Sequence, residues 1–217
     1  MDKETIKKTL DELKALPKKK FNQTFDLIIV LKGIDLKKTD NHIDFYHLLH
    51  HNPGKDVKIC ALVGAELISQ AKEVFDEAIL VEDFPKYQKD KKAVKKLVAG
   101  CDFFVAQANI MPQVATSFGK VLGPAGKMPN PKAGCVVPPN ANLKPLAEKL
   151  KKTVRIQAKT MPMVQLAVGK EDSNEEEVID NITTTYNDIL HHLAGGKNNI
   201  KKVLLKLTMS KPLKLEE

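Results

Sequence analysis

The sequence contains no tryptophan, and its aromatic content is only 5%. A binding face made of stacked aromatic platforms is hard to furnish from so few rings. Any surface for a polyanion must rest instead on lysine, short polar side chains and backbone groups. Cysteine is scarce too: Cys60, Cys101 and Cys135 are isolated and odd in number. That argues against a disulfide framework and suits buried thiols in a reducing compartment. No apolar run approaches membrane-spanning length, and Met1-Asp2-Lys3-Glu4 does not open a signal peptide. The expectation is a soluble cytoplasmic protein with no membrane partner.

Several chemical motifs are missing as well. No Gly-x-Gly-x-x-Gly follows an apolar segment, so a dinucleotide site is not expected. Gly126-Lys127 suggests a phosphate loop, but Val121 and Met128 stand where that motif needs a glycine and a hydroxyl. The pairs His50-His51 and His191-His192 match no zinc spacing, and no Cys-x-x-Cys accompanies them. Neither Cys101 nor Cys135 has an evident histidine base, and both read as packed thiols. No catalytic group, metal or cofactor is expected.

What the chain does have is lysine. A net charge of +8 and a pI near 9.2 point to a polyanionic partner. At 217 residues with 42% hydrophobic content, there is enough material for one large domain or two small ones.

Along the chain the texture changes twice. Residues 3–16 carry Ile6, Leu10, Leu13 and Leu16 in one helical stripe that Pro17 halts. Strands are expected over Phe21–Leu31 and His42–Leu49, with a charged turn from Gly33 to Asn41 between them. From Val57 to Lys152, short apolar runs alternate with helical patterns. The expected helices include a Lys-rich one from Pro85 to about Val98, one from about Asn109 to Val121 and one from Asn142 to Lys152. That alternation marks βαβ units and a parallel sheet.

After Thr153, strands return over residues 153–159, 163–168 and 203–208. Between the last two lies a helix with a Ser173/Glu176 capping box and a first turn of Glu175, Glu176 and Glu177. The reading is therefore α/β with two domains. One is a discontinuous α+β (split β-α-β-like) sandwich from 1–56 and 153–217; the other is a Rossmann-like parallel α/β domain, 57–152, inserted into it. Joining strands near 54–57 and 152–154 make relative motion the default expectation.

One stretch stands apart: Leu122 to Gly134, Leu-Gly-Pro-Ala-Gly-Lys-Met-Pro-Asn-Pro-Lys-Ala-Gly. Its prolines and glycines exclude a helix or a central strand in this reading. It should be a stiff surface loop, with Lys120, Lys127 and Lys132 projecting and no carboxylate opposing them. A rigid connector is the plainer alternative.

This run resembles the signature of the L-one family of large-subunit ribosomal proteins, and the resemblance extends over essentially the whole chain. It is similar above all to the archaeal branch, because an insertion that eukaryotic members carry in this loop is missing. The resemblance implies the inserted two-domain arrangement and a non-enzymatic protein, monomeric when free. It also implies that the protein joins the 50S-type subunit by binding large-subunit (23S-type) rRNA, shapes the mobile stalk near the exit site and contacts departing E-site tRNA. A second implied role is repression of translation by binding the protein's own mRNA.

Carried over residue by residue, the family's rRNA contact falls on Lys20, Phe21, Thr24 and Asp26, with Thr208, Met209, Ser210 and Lys211 beside them. Gln165 occupies the place of a bacterial histidine. Lys202 stands where bacterial members commonly have a small residue. Ser210 replaces a family glycine, so a glycine-dependent close approach of backbone to RNA would suffer. Lys120, Lys127 and Lys132 are possible secondary RNA or tRNA contacts. Without the resemblance, Phe21 would read as an edge-of-core aromatic, and the Lys-rich helix at 86–96 as a solvated face. The rival readings are a generic basic RNA-binding module outside the ribosome and a nucleotide-binding α/β enzyme.

Overall fold

The computed structural model describes residues 2–36 and 42–215. Most of the charged turn expected before the second strand, residues 37–41, lies outside that range. The chain divides into two compact units, Met1–Lys55 with Lys152–Glu217, and Asp56–Lys151.

The first unit is built on strand β1 (Thr24–Leu31), whose residues alternate between half-buried and buried along its length. Its inward side chains Phe25, Leu27, Ile29 and Leu31 meet α1 (Lys3–Lys14) and the long helix α7 (Glu175–His192) in one apolar core. α1 contributes Ile6, Leu10 and Leu13, and α7 contributes Val178, Ile182, Tyr186 and Ile189. Both sets follow helical spacing, so each helix buries a single stripe.

β1 is central in an antiparallel sheet of four. It pairs with β8 (Met163–Lys170) on one side and β9 (Ile200–Leu207) on the other, and β10 (Leu213–Leu215) edges β9. The sheet's outer side carries Thr24, Asp26, Ile28 and Val30 of β1, alongside Gln165 and Ala167 of β8 and Lys202, Leu204 and Lys206 of β9. A separate antiparallel pair, β2 (Ile43–Leu48) with β7 (Thr153–Ala158), adds Ile43, Ile156 and Ala158 to the core. Across that pair Arg155 grips Asp44 with two hydrogen bonds, Nε–Oδ1 at 2.8 Å and a terminal nitrogen to Oδ2 at 2.9 Å.

Two expectations shift here. The first turn of α7 is capped by Asn174, whose side chain accepts from Glu176 N, while Ser173 Oγ accepts from Lys170 N one step earlier. β10 is an addition to the expected strands, too short for periodicity to reveal.

The second unit holds a parallel sheet in the order β4-β3-β5-β6, formed by β3 (Ile59–Val63), β4 (Glu77–Leu80), β5 (Phe103–Gln107) and β6 (Val136–Val137). The helices are α2 (Ile68–Val74), α3 (Phe84–Lys89), α4 (Lys91–Gly100), α5 (Met111–Ala125) and α6 (Leu143–Lys152). Phe84, Val94, Val98, Val114, Phe118 and Leu122 of α3, α4 and α5 pack with Cys60, Leu62, Phe104 and Ala106. The intervening strand residues Ile59, Ala61, Val63 and Val105 are buried as well. Both faces of the sheet are thus covered, as continuously apolar parallel strands require.

The Lys-rich segment is two helices. Asp90 ends α3 and caps α4, accepting from Lys92 N and Ala93 N. The proline-glycine stretch also departs from expectation, since α5 continues through Gly123 and Pro124. Pro124 sits so near the helix end that the one backbone bond it removes, to Lys120 O, adjoins carbonyls that have no helical partner anyway. Gly126, in the left-handed region at φ 67°, ends the helix, and Lys127 N bonds back to Leu122 O. The remainder forms a tight turn in which Asn130 Oδ1 accepts from Lys132 N, and Gly134 is again left-handed at φ 77°.

Candidate nucleic-acid interface

At one end of the four-stranded sheet, the entry to β1 and the exit from β9 meet. Phe25 and Leu207 are paired in the ladder, so Thr24 and Thr208 stand side by side just beyond it. Thr208 Oγ1 accepts a hydrogen bond from Thr24 N at 3.1 Å, and its hydroxyl faces Thr24 O at 3.4 Å. Gln23, only 3% exposed, reaches across beneath them. Its Oε1 accepts from Met209 N at 3.1 Å, and its own carbonyl accepts from Glu171 N at 2.8 Å. Three segments, residues 20–24, 170–172 and 207–211, are thereby fastened into one corner.

The side chains left outside carry the chemistry. Phe21 is 51% exposed and Met209 is 66% exposed, so the edge-of-core reading of Phe21 does not hold. Large apolar groups left in water cost solvation free energy, which suits a surface that becomes covered. Lys20 and Lys211 are exposed nearby. An adjoining groove of about 550 Å³ has Lys18, Lys19, Lys20 and Phe21 among its lining residues, with Glu171 and Asp172 also present.

Ser210 turns its hydroxyl inward. Its Oγ accepts from Leu207 N at 2.8 Å, and its own N–H bonds to Leu207 O at 3.0 Å. No described residue other than glycine has a positive φ, so serine sits here without backbone strain. The side chain occupies the turn itself.

Asp26 and Gln165 continue the row of candidates along the outer side of the sheet. Asp26 lies between Ala167 and Lys206 in the ladder, and Gln165 pairs with Ile28, one outward row further on. Partial burial raises the Asp26 carboxyl above its ordinary range, while the nearby Lys206 ammonium pulls it down. Lys202 is exposed opposite Val30, further still from the corner.

The second group of lysines separates. Lys120 and Lys132 are exposed, but Lys127 does not project with them. Its Nζ donates to Val98 O and to Cys101 O, each at 2.7 Å, at the C-terminal end of α4. A cation there satisfies orphan carbonyls and complements the helix dipole.

Gln23 is the residue that sequence reasoning passed over. Its position between Phe21 and Thr24 placed it in the right segment. Nothing local, however, indicated that its side chain would be buried and bonded to residue 209.

The fold defines the class: a two-unit α/β protein in which a parallel sheet interrupts an antiparallel one, with a lysine-flanked corner presenting Phe21 and Met209. The chain belongs to the ribosomal protein L1p/L10e family, whose pattern matches residues 13–211. It is 38% identical over 218 residues to the large ribosomal subunit protein uL1 of Methanocaldococcus jannaschii, covering 100% of this chain and 97% of that one. The uL1 of Methanothermococcus thermolithotrophicus is 39% identical, with both chains covered in full. That of Nanoarchaeum equitans is 42% identical over 88% of this chain and 90% of its own. Among the described residues, no helix is long and apolar enough to cross a membrane.

Proposed function

We propose that this protein is a structural constituent of the large ribosomal subunit that binds large-subunit rRNA directly through the Thr24–Thr208 corner. In doing so it shapes the mobile stalk near the exit site and assists release of deacylated tRNA. The observation that carries this reading is the corner itself. Phe21 and Met209 stand in solvent on backbone held rigid by the Thr208–Thr24 and Gln23–Met209 hydrogen bonds. RNA helices hide their major groove and offer 2′-hydroxyls across a shallow minor groove. A stiff strand end with short polar groups and two apolar contacts suits that surface. Lys20 and Lys211 add salt-dependent attraction to phosphates. Lys120 and Lys132 are free to serve as secondary RNA or tRNA contacts, whereas Lys127 reads as structural. One surface that recognises RNA shape also binds a messenger presenting the same shape, and repression of the protein's own mRNA follows from that.

The test is binding to a stalk rRNA fragment beside an equal-length control RNA across rising salt. Preference for the stalk should survive high salt. Phe21→Ala and Thr208→Ala should each weaken stalk binding by about tenfold, the scale of one lost base–aromatic contact or one lost hydrogen bond. Equal binding of both RNAs, released together as salt rises, would sink the reading. For the messenger, added protein should lower translation of its own leader-bearing mRNA in a cell-free system, and the rRNA fragment should restore it.

A further inference from the structure

The inserted unit holds a set of side chains that the RNA-binding reading does not use. Cys60 lies in the middle of β3, and the parallel ladder pairs it directly with Glu77 at the start of β4. On β3's other side, Cys60 pairs with Phe104, which brings Cys101, just before β5, to the same place. The two sulfurs and a Glu77 carboxylate oxygen all lie within 4.8 Å of one another. Both thiols are buried, at 0% and 3% exposure, while Glu77 is open to solvent.

We propose that Cys60, Cys101 and Glu77 form a site for a thiophilic divalent cation of the zinc class. Zinc takes thiolate and carboxylate ligands in a tetrahedron with arms of about 2.0–2.3 Å, so its ligand atoms stand roughly 3.5 Å apart. From separations of at most 4.8 Å the ligand atoms must close by no more than about 1.3 Å, and the exposed Glu77 side chain has room to take up much of it. Cys60 and Glu77 sit on paired strands and Cys101 caps α4 just before a third, so little order must be created on binding. Two thiolates point away from hard cations such as magnesium. The open side at Glu77 gives the ion its way in and leaves a fourth position for water.

Two thiolates and one carboxylate around a dication leave one negative charge. Lys127, bonded to Cys101 O, supplies a positive one beside it. Binding releases the two thiol protons to solvent, and no bond other than S–H is broken. Such a site would clamp β3, β4 and the end of α4 together, and through Lys127 it would reach the proline-glycine turn.

The experiment uses the full chain, reduced with a phosphine and checked by thiol count after denaturation. Cadmium is titrated and followed by its ultraviolet thiolate-to-metal charge-transfer band, and zinc is then titrated to displace it. The wild type should show a band saturating at one ion per chain and a rise in melting temperature with zinc. Cys60→Ser and Cys101→Ser should each remove the saturable band. Glu77→Gln, a surface change that leaves the core intact, should weaken affinity by about tenfold or more, since even outer-shell losses cost that much. Cys135→Ser, outside the cluster, should keep the full response. The proposal is overturned if the folded, reduced wild type shows no band, or if the band is unchanged in Glu77→Gln and in both cysteine variants.

Discussion

Gln23 and Met209 are joined across the corner by one hydrogen bond, side-chain carbonyl to backbone N–H, at 3.1 Å. It connects the approach to the first strand of the antiparallel sheet with the turn beyond β9, and it fixes the peptide that carries the most exposed large apolar side chain described. Gln23→Ala should therefore act on binding more than on folding. Loss of this part-buried bond costs about 1 kcal/mol of stability. Binding of the stalk fragment should fall about tenfold as Met209 and Thr208 lose their fixed positions. Urea melts and RNA titrations on the same variant check both halves.

Lys127 makes the opposite prediction. Its ammonium closes the carbonyl end of α4 through Val98 and Cys101. Lys127→Met should destabilise the inserted unit by about 2 kcal/mol, the scale of charge-assisted hydrogen bonds lost at a half-buried site. The salt dependence of rRNA binding should be unchanged. A fall in the salt slope by about one unit would instead mark Lys127 as a phosphate contact.

Asp26 carries a pH signature. Burial raises its folded-state carboxyl above the unfolded value, so its contribution to stability is full below the unfolded pKa and is lost as pH rises through the folded one. At neutral pH the ionised group is therefore a burden on the fold. Asp26→Asn should be more stable than wild type at pH 7, with the gain vanishing below about pH 4. Chemical denaturation at both pH values measures it. If the same variant also binds the stalk fragment less well, the carboxylate is retained for RNA at the expense of stability.

Asp44 behaves in the reverse sense. The Arg155 guanidinium, with Lys159 beside it, holds the Asp44 carboxyl down at about 2. A depressed carboxyl contributes stability above the unfolded pKa and loses it as pH falls through the folded one, here from about pH 4 to about pH 2. The side chain is 26% exposed and the partner 30%, so solvent screens the pair. A loss of about 1 kcal/mol for Asp44→Asn at pH 7 is the reasonable scale. That loss should shrink as pH falls through about 2 and vanish below it, where the wild-type carboxyl is itself protonated.

Most of the elements were legible because they obey short-range rules. The stripe Ile6-Leu10-Leu13, the alternation through β1 and β9 and the βαβ rhythm after Val57 are periodic patterns that the backbone must follow to bury its apolar groups. The local errors share one cause. Asp90 inside the Lys-rich run, Asn174 one residue after Ser173 and Pro124 at the end of α5 were decided by competing caps and helix ends. Those differ by tenths of a kcal/mol to about 1 kcal/mol, too little for composition to arbitrate.

The fold class, the basic charge and, through the Leu122–Gly134 run, the family are all written in the order of residues alone. Hydrophobic period and proline-glycine chemistry act over a few residues and leave little choice. Which side chains work together depends on the folded core. Thr24 meets Thr208 across 184 positions of chain. Lys127 turns in against α4 while Lys120 and Lys132 stay out, and Cys60 and Cys101 gather around Glu77. Strand register and side-chain direction come from packing the whole core, and no local stretch contains that information.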